Sequence, residues 1–379
     1  MKFFFGITLG IFVVLLLFWG VYNLGFKENP SVATVSEGTK IIKESVFNTP
    51  WKPAEKVSAL LTERIASATA YNRFLYFYSL DEKAFRRSTL DGKEKETLLS
   101  NLPGEPTRIV WAPNHEKALV LLKKSDGSSL WHTLDFSTQT LIPLKPEISR
   151  IAWDNTGSKI FYQYTDPKTG DRTLNSADPD GKNWKNIIAL GSKDFFIAPV
   201  PGSISVSYWN RPSAREKGAL SVVPLTGGST KTLVHDVFGG DFLWAPSGNR
   251  VLMQATDNAD PSKIRLALMN ESGGELQTLE MAQTLITKAV WSKSGKILYY
   301  ALPSPFPESS TLPNDYFEKN LHSQDSFWKL DVETKKAERL IDLKDITEAY
   351  DATELFLAPD EHSLYFTDRT SQKLFRIEF

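Results

Sequence analysis

Five histidines, at positions 115, 132, 235, 322 and 362, are the side chains best suited to move a proton or hold a metal near neutral pH. No two of them stand in a His-x-x-x-His or related spacing, so no local metal motif is present, and each reads as a loop or surface residue. There is no cysteine, which excludes thiolate catalysis, thiolate-held zinc and disulfides. No Gly-x-Ser-x-Gly elbow occurs, so no serine hydrolase of that type is carried. Asp257, Asp260, Asp166 and Asp171 supply oxygen ligands of the kind calcium takes, but follow no EF-hand pattern and read as solvated turn carboxylates. Residues 176–184 contain an Asp-Gly turn at Asp180-Gly181. The sequence thus offers no catalytic residue, no cofactor motif and no metal set.

Recognition chemistry is better represented. Aromatic and arginine side chains on loops suit protein or peptide contacts. One such segment runs through Tyr208-Trp209-Asn210-Arg211-Pro212-Ser213-Ala214-Arg215. A second, at 256–263, brings Asp257 and Asp260. The third is a long stretch from Pro303 to Ser326 that holds Phe306, Tyr316, Phe317 and His322. Connections longer than about 12–15 residues are usually functional or disordered. The expected binding set is therefore Trp209, Arg211, Arg215, Asp257, Asp260, Phe306, Tyr316, Phe317 and His322.

These loops need a scaffold, and an internal repeat supplies it. Ile109-Val110-Trp111-Ala112-Pro113, Ile151-Ala152-Trp153-Asp154, Phe242-Leu243-Trp244-Ala245-Pro246 and Ala289-Val290-Trp291-Ser292 are copies of one element. Worn copies stand at Phe196-Ile197-Ala198-Pro199 and Phe356-Leu357-Ala358-Pro359. Taking positions 111, 153, 197, 244 and 291, the element recurs after 42, 44, 47 and 47 residues. The next interval, 291 to 357, is 66 residues, and the long loop accounts for the excess. Within each unit four short runs, A to D, alternate with turn signals. Four strands per unit at this period are the blades of a β-propeller. Trp111, Trp153, Trp244 and Trp291, with Pro113, Pro199, Pro246 and Pro359, are expected to be structural: the tryptophans fill the wedge between blades and the prolines shape the following turn.

Full units start near 107, 148, 194, 240 and 286. A sixth starts near 353 but ends after its third strand, at Phe379. Arg64 to Leu99 reads as a further unit with a worn first strand, and Glu55 to Leu61 as an orphan fourth strand. That orphan would complete the incomplete last unit, closing a ring of seven blades and removing raw strand edges. The same residues, through Val57, Leu60, Leu61 and Ile65, also fit helical spacing, and six or eight blades are the alternative counts.

The Trp-Ala-Pro-Ser-Gly turn at 244–248, the Trp-Ser-Lys-Ser-Gly turn at 291–295 and the hairpin Asp178-Pro179-Asp180-Gly181 resemble the TolB-type propeller and its WD-like repeat. The resemblance covers roughly residues 55–379 and implies the fold rather than an activity, because such propellers serve as scaffolds, peptide binders and regulatory modules. In place of the separate N-terminal α/β domain of the family's periplasmic member, a membrane helix is expected here.

Before the repeat, Phe3 to Val21 carries no charge and is long enough, at about 28 Å as a helix, to span a bilayer. Residues 1–26 are expected to form a membrane anchor, 27–53 a juxtamembrane linker and 54–379 the propeller. Lys2 ahead of the span favours a cytoplasmic N-terminus and an extracytoplasmic propeller. With 44 Lys and Arg against 45 Asp and Glu, no basic face for nucleic acid is implied. The expected function is a non-catalytic, membrane-anchored module that binds a protein, peptide or envelope polymer. The alternatives are a scaffold of an envelope assembly, or a glycan hydrolase or lyase with carboxylates in the channel mouth. The sequence leaves the oligomeric state undetermined.

Overall fold

A computed structural model describes residues 56–379 apart from 192–193, 258–259, 319–320 and 347. Among the described residues there are seven four-stranded antiparallel sheets, each with its strands in consecutive spatial order. They are the blades of an all-β propeller: residues 65–99, 105–143, 148–191, 195–238, 241–278, 289–339, and 352–378 joined by Val57–Ala59. Because order and direction repeat, the B–C and D–A loops of all blades share one face. The A–B and C–D hairpins share the other.

The seventh blade closes the ring. Val57, Ser58 and Ala59 pair with Ile377, Arg376 and Phe375, so the first described strand is the outermost strand of the last blade. Ile65–Tyr71 is the innermost strand of blade 1. The helical alternative for 54–66 loses because strand Leu374–Glu378 would otherwise present an open edge, and pairing satisfies its backbone groups.

Seven apolar clusters fill the seven interfaces between blades. The repeated tryptophans lie at the end of strand A and send their indole N–H groups into the preceding blade. Trp111 donates to Ser67 O at 2.7 Å and Trp153 to Val110 O at 2.9 Å. Trp291 reaches Leu243 O at 3.4 Å. Trp244 donates to Ser207 Oγ at 3.0 Å, which in turn donates to Ala198 O. Burying an indole this way adds area without leaving its donor unpaired. The turn after each tryptophan nests on its neighbour. Gly248 has φ +72°, and a Cβ there would sit 2.1 Å from Pro201 O, so only glycine fits.

Among the described residues no helix is long and apolar enough to cross a membrane. The span expected at Phe3 to Val21, and the linker after it, lie outside the described residues.

Candidate functional site

The insertion in blade 6 joins strand B, Ile297–Pro303, to strand C, Asp325–Asp331, and contains a short helix, Asn314–Phe317. It does not stand off the ring. Leu312 N donates to Pro261 O and Thr256 Oγ1 donates to Leu312 O, tying it to blade 5. Asn314 Oδ1 accepts from Ala214 N in the B–C loop of blade 4. Arg369 of blade 7 donates to Leu321 O at 2.9 Å and to Tyr316 O at 2.6 Å. The segment therefore lies across the loop face, from blade 6 onto blades 4, 5 and 7.

Its anchor is a buried ionic cluster. The Lys288 ammonium, with no exposed side-chain surface, bonds Asp325 Oδ2 at 2.7 Å, Asp351 Oδ1 at 2.9 Å and Ala352 O at 2.7 Å. Tyr316 Oη and Ser323 Oγ both donate to Asp351 Oδ1, at 2.7 and 2.9 Å. His322 Nδ1 and Arg369 Nη1 each lie 3.3 Å from Asp351 Oδ2. The Tyr316 ring sits between two cations, 5.1 Å from Lys288 Nζ and 4.1 Å from the Arg369 guanidinium carbon. Burial alone would lower the proton affinity of Lys288, but Asp325, Tyr316 and Asp351 outweigh it and hold the ammonium above its usual range. Burial would likewise raise Asp351, and the Lys288 charge and three donors bring it below the usual carboxylate range. In Asp325 burial prevails and its carboxyl is raised, consistent with Oδ1 having no hydrogen-bond partner. Burial pushes the Tyr316 phenol up to about 12.

Beside the clamped insertion runs a groove of about 910 Å³. Ile264, Leu285 and Leu312 form its buried floor, and Leu302, Pro303, Phe306 and Met281 its apolar walls. Among the described residues, Asp260, Glu280 and Glu308 stand on its rim against a single cation, Lys263, which Asp260 engages at 2.8 Å. Lys263 is held above its usual range first by Asp260 and further by Asp257 and Glu308, so the rim carries a negative potential.

The sequence-expected residues divide accordingly. Asp260 and Phe306 line the groove. Tyr316 and Phe317 pack behind it with Phe306, ring centroids 6.3 and 6.5 Å apart in edge contacts. His322 caps Asp351. Asp257 pairs with Arg265 in the blade 5 loop. Arg211 and Arg215 are exposed in the blade 4 loop. Trp209 requires a correction: it belongs to strand B, Ser205–Asn210, rather than to a loop. It is 7% exposed, packs between blades 4 and 5, and donates to Asp241 Oδ1 at 2.9 Å. Strand alternation turns its ring inward, so it offers no surface to a ligand.

Sequence reasoning missed Lys288, Asp325, Asp351 and Arg369, which are far apart in the chain. It also missed a repeated signal. Three residues before the tryptophan position, in strand A or just ahead of it, each of blades 2 to 7 carries an ionisable side chain: Arg108, Arg150, Asp194, Asp241, Lys288 and Glu354. Strand A is innermost, so these form a belt at the channel mouth on the loop face. Most are neutralised or bonded by the ring itself. Arg150 grips Asp194, with Nη2 to Oδ2 at 2.7 Å. Asp241 accepts from the Trp209 indole and from its own neighbour Phe242 N. Burial pushes the Asp241 carboxyl up to about 6 despite those bonds. Glu354, raised by burial, accepts from the Ser67 backbone.

Fold and site together define a seven-bladed β-propeller whose loop face carries a clamped insertion, an acidic-rimmed apolar groove and a charged channel mouth. No known family and no curated protein matches the sequence. Solved structures do resemble it. A structure of oligogalacturonate lyase in complex with manganese is 10% identical with a TM-score of 0.60, covering 85% of this chain and 93% of that one. The β-propeller domain of Cps50 (Swd1) from Myceliophteria thermophila is 9% identical with a TM-score of 0.55, covering 85% and 99%. TolB from Acinetobacter baumannii is 14% identical with a TM-score of 0.47, covering 74% and 64%. At these identities the likeness concerns the fold alone. Among the described residues no three His, Asp or Glu side chains converge as a metal site.

Proposed function

We propose that the chain is a non-catalytic recognition module, held at a membrane by residues 1–26 with the propeller outside the cytoplasm, that docks an extended segment of a partner protein in the groove beside the blade 6 insertion. The groove carries this reading: its volume falls in the range of ligand sites, its floor is apolar, and its walls are fixed before any ligand arrives. The rim selects the occupant. Among the described residues, three carboxylates against one already paired ammonium favour a segment with apolar side chains and a flanking lysine or arginine. A catalytic use of the acids that the insertion brings together is disfavoured by their burial, since the Asp325 and Asp351 side chains are 0% and 1% exposed and no substrate reaches them.

The test is site-specific photo-crosslinking in intact membranes with the full chain. A photoreactive residue replaces Met281, on the groove, or Ile204, on the opposite hairpin face. A protein adduct from position 281 that weakens when Glu280 and Glu308 are both changed to lysine supports the reading. No adduct at 281, or the same adduct from both positions, overturns it.

A further inference from the structure

The charged belt leaves one member unanswered. Among the described residues, the Arg108 guanidinium makes no hydrogen bond and no ion pair, whereas Arg150, Asp194, Asp241 and Lys288 are each held by side chains of the ring and Glu354 by a backbone amide. Arg108 is an exposed residue in the middle of the innermost strand Glu105–Trp111, and its guanidinium carbon lies 5.9 Å from the centre of the Trp131 ring, which is 2% exposed. Solvent reaches it, yet protein surrounds it closely: burial, and then repulsion from Arg150, push its proton affinity below the ordinary guanidinium range. Asp194 acts on it in the opposite sense, but its carboxylate is committed to Arg150 through Nε and Nη2.

Three guanidiniums, of Arg108, Arg150 and Arg172, therefore act on one carboxylate at this side of the mouth. The Nη1 edge of Arg150 is not used on Asp194, and the whole fork of Arg108 is unused. An unused fork of N–H donors beside a buried indole matches a planar or tetrahedral oxyanion, and Arg meets such groups bidentately. The mouth is also open on this side. The insertion contacts described above go to blades 4, 5 and 7, whereas Arg108 and Arg150 belong to blades 2 and 3.

We propose that Arg108, assisted by Arg150, is an oxyanion-binding site at the channel mouth that takes a carboxylate or phosphate group of a ligand entering from the loop face. It is distinct from the groove and does not depend on it.

The experiment is isothermal titration and thermal-shift measurement of the full chain with two probes, citrate and inorganic phosphate, at low and at high sodium chloride, for wild type, Arg108→Gln and Arg108→Lys. The expected result is one saturable site whose affinity falls with salt, at least about tenfold weaker in Arg108→Gln and partly kept in Arg108→Lys, which preserves charge without the fork. Citrate alone binding identifies a carboxylate ligand, phosphate alone a phosphate ligand, and both an undiscriminating oxyanion site. Each supports the proposal. An affinity unchanged within about twofold in Arg108→Gln means an adventitious ion only and overturns it, as does no binding of either probe. Arg108 is exposed and unpaired, so both variants are expected to keep the wild-type melting temperature without ligand, which separates loss of the site from loss of the fold.

Discussion

Changing Asp241 to asparagine is expected to stabilise the protein above pH 6 and to do almost nothing near pH 4. Asp241 is buried between blades 4 and 5, where its Oδ1 accepts from the Trp209 indole at 2.9 Å and from Phe242 N at 3.0 Å. Neither donor is a cation, and burial pushes the carboxyl from 3.8 up to about 6. The sign follows from proton linkage. A group whose folded pKa lies above its unfolded one contributes stability fully present below the unfolded value, here 3.8, and lost as pH rises through about 6. A gap of about two units corresponds to about 3 kcal/mol, at about 1.4 kcal/mol per unit. Asparagine keeps the carbonyl acceptor for both donors and carries no charge, so it resembles the protonated acid and escapes the loss.

Urea unfolding followed by tryptophan fluorescence, for wild type and Asp241→Asn at intervals from pH 4 to pH 8, reads this directly. Other titrating groups are common to both proteins, and their contributions cancel in the difference. The variant is expected to gain about 2–3 kcal/mol on wild type between pH 4 and pH 8, nearly all of it between about pH 4 and pH 6, with a flat difference above. A difference that stays flat across that range, or that moves against the variant as pH rises, would refute the account of Asp241 as a carboxylate ionised against its surroundings.

Three further outcomes follow from the geometry. Lys288→Met leaves Asp325 and Asp351 buried without their shared ammonium, and is expected to cost about 3–5 kcal/mol at pH 7 by urea unfolding, with part recovered in Lys288→Met/Asp325→Asn. Trp153→Phe removes the indole that donates to Val110 O and leaves that half-buried acceptor without it, for a loss of about 1–3 kcal/mol in the same assay. His115, stacked on Tyr71 at 4.8 Å, is lowered to about 4 by burial. Its contribution is present above the ordinary 6.5 and lost as pH falls through about 4, so its ring carbon signals in NMR should titrate near pH 4. A midpoint near 6.5 would contradict that burial.

The ring was readable because its information is local and repeated. Each tryptophan is followed by a turn that needs a left-handed residue, and each unit has four runs of strand length. Even the closure could be read from an orphan strand at one end and a missing one at the other. Residues 57–65 were ambiguous because their apolar spacing serves either a helix or a strand, and only the open edge of Leu374–Glu378 decides between them. Trp209 was misread for a related reason. The polar, proline-containing stretch from Asn210 to Ser213 marks a loop, but strand B runs up to its first residue and carries the ring into the core.

The site was less legible, and its two parts differ in why. The cluster that clamps the insertion joins Lys288, Asp325, Asp351 and Arg369, whose separations are set by blade geometry rather than by any motif, so no window of sequence contains it. The belt at the channel mouth, by contrast, was written in six of the seven copies: Arg, Arg, Asp, Asp, Lys and Glu stand three residues ahead of the tryptophan position in blades 2 to 7. A charge at one repeated position of the innermost strands faces its counterparts in the neighbouring blades as well as solvent. The propeller must answer such charges across blades or leave them for a ligand. Arg150 with Asp194, and Lys288 with Asp351, are answered in the next blade along. The departures from that rule, an uncharged partner for Asp241 and none for Arg108, are where the ring has stability to gain and binding capacity to offer.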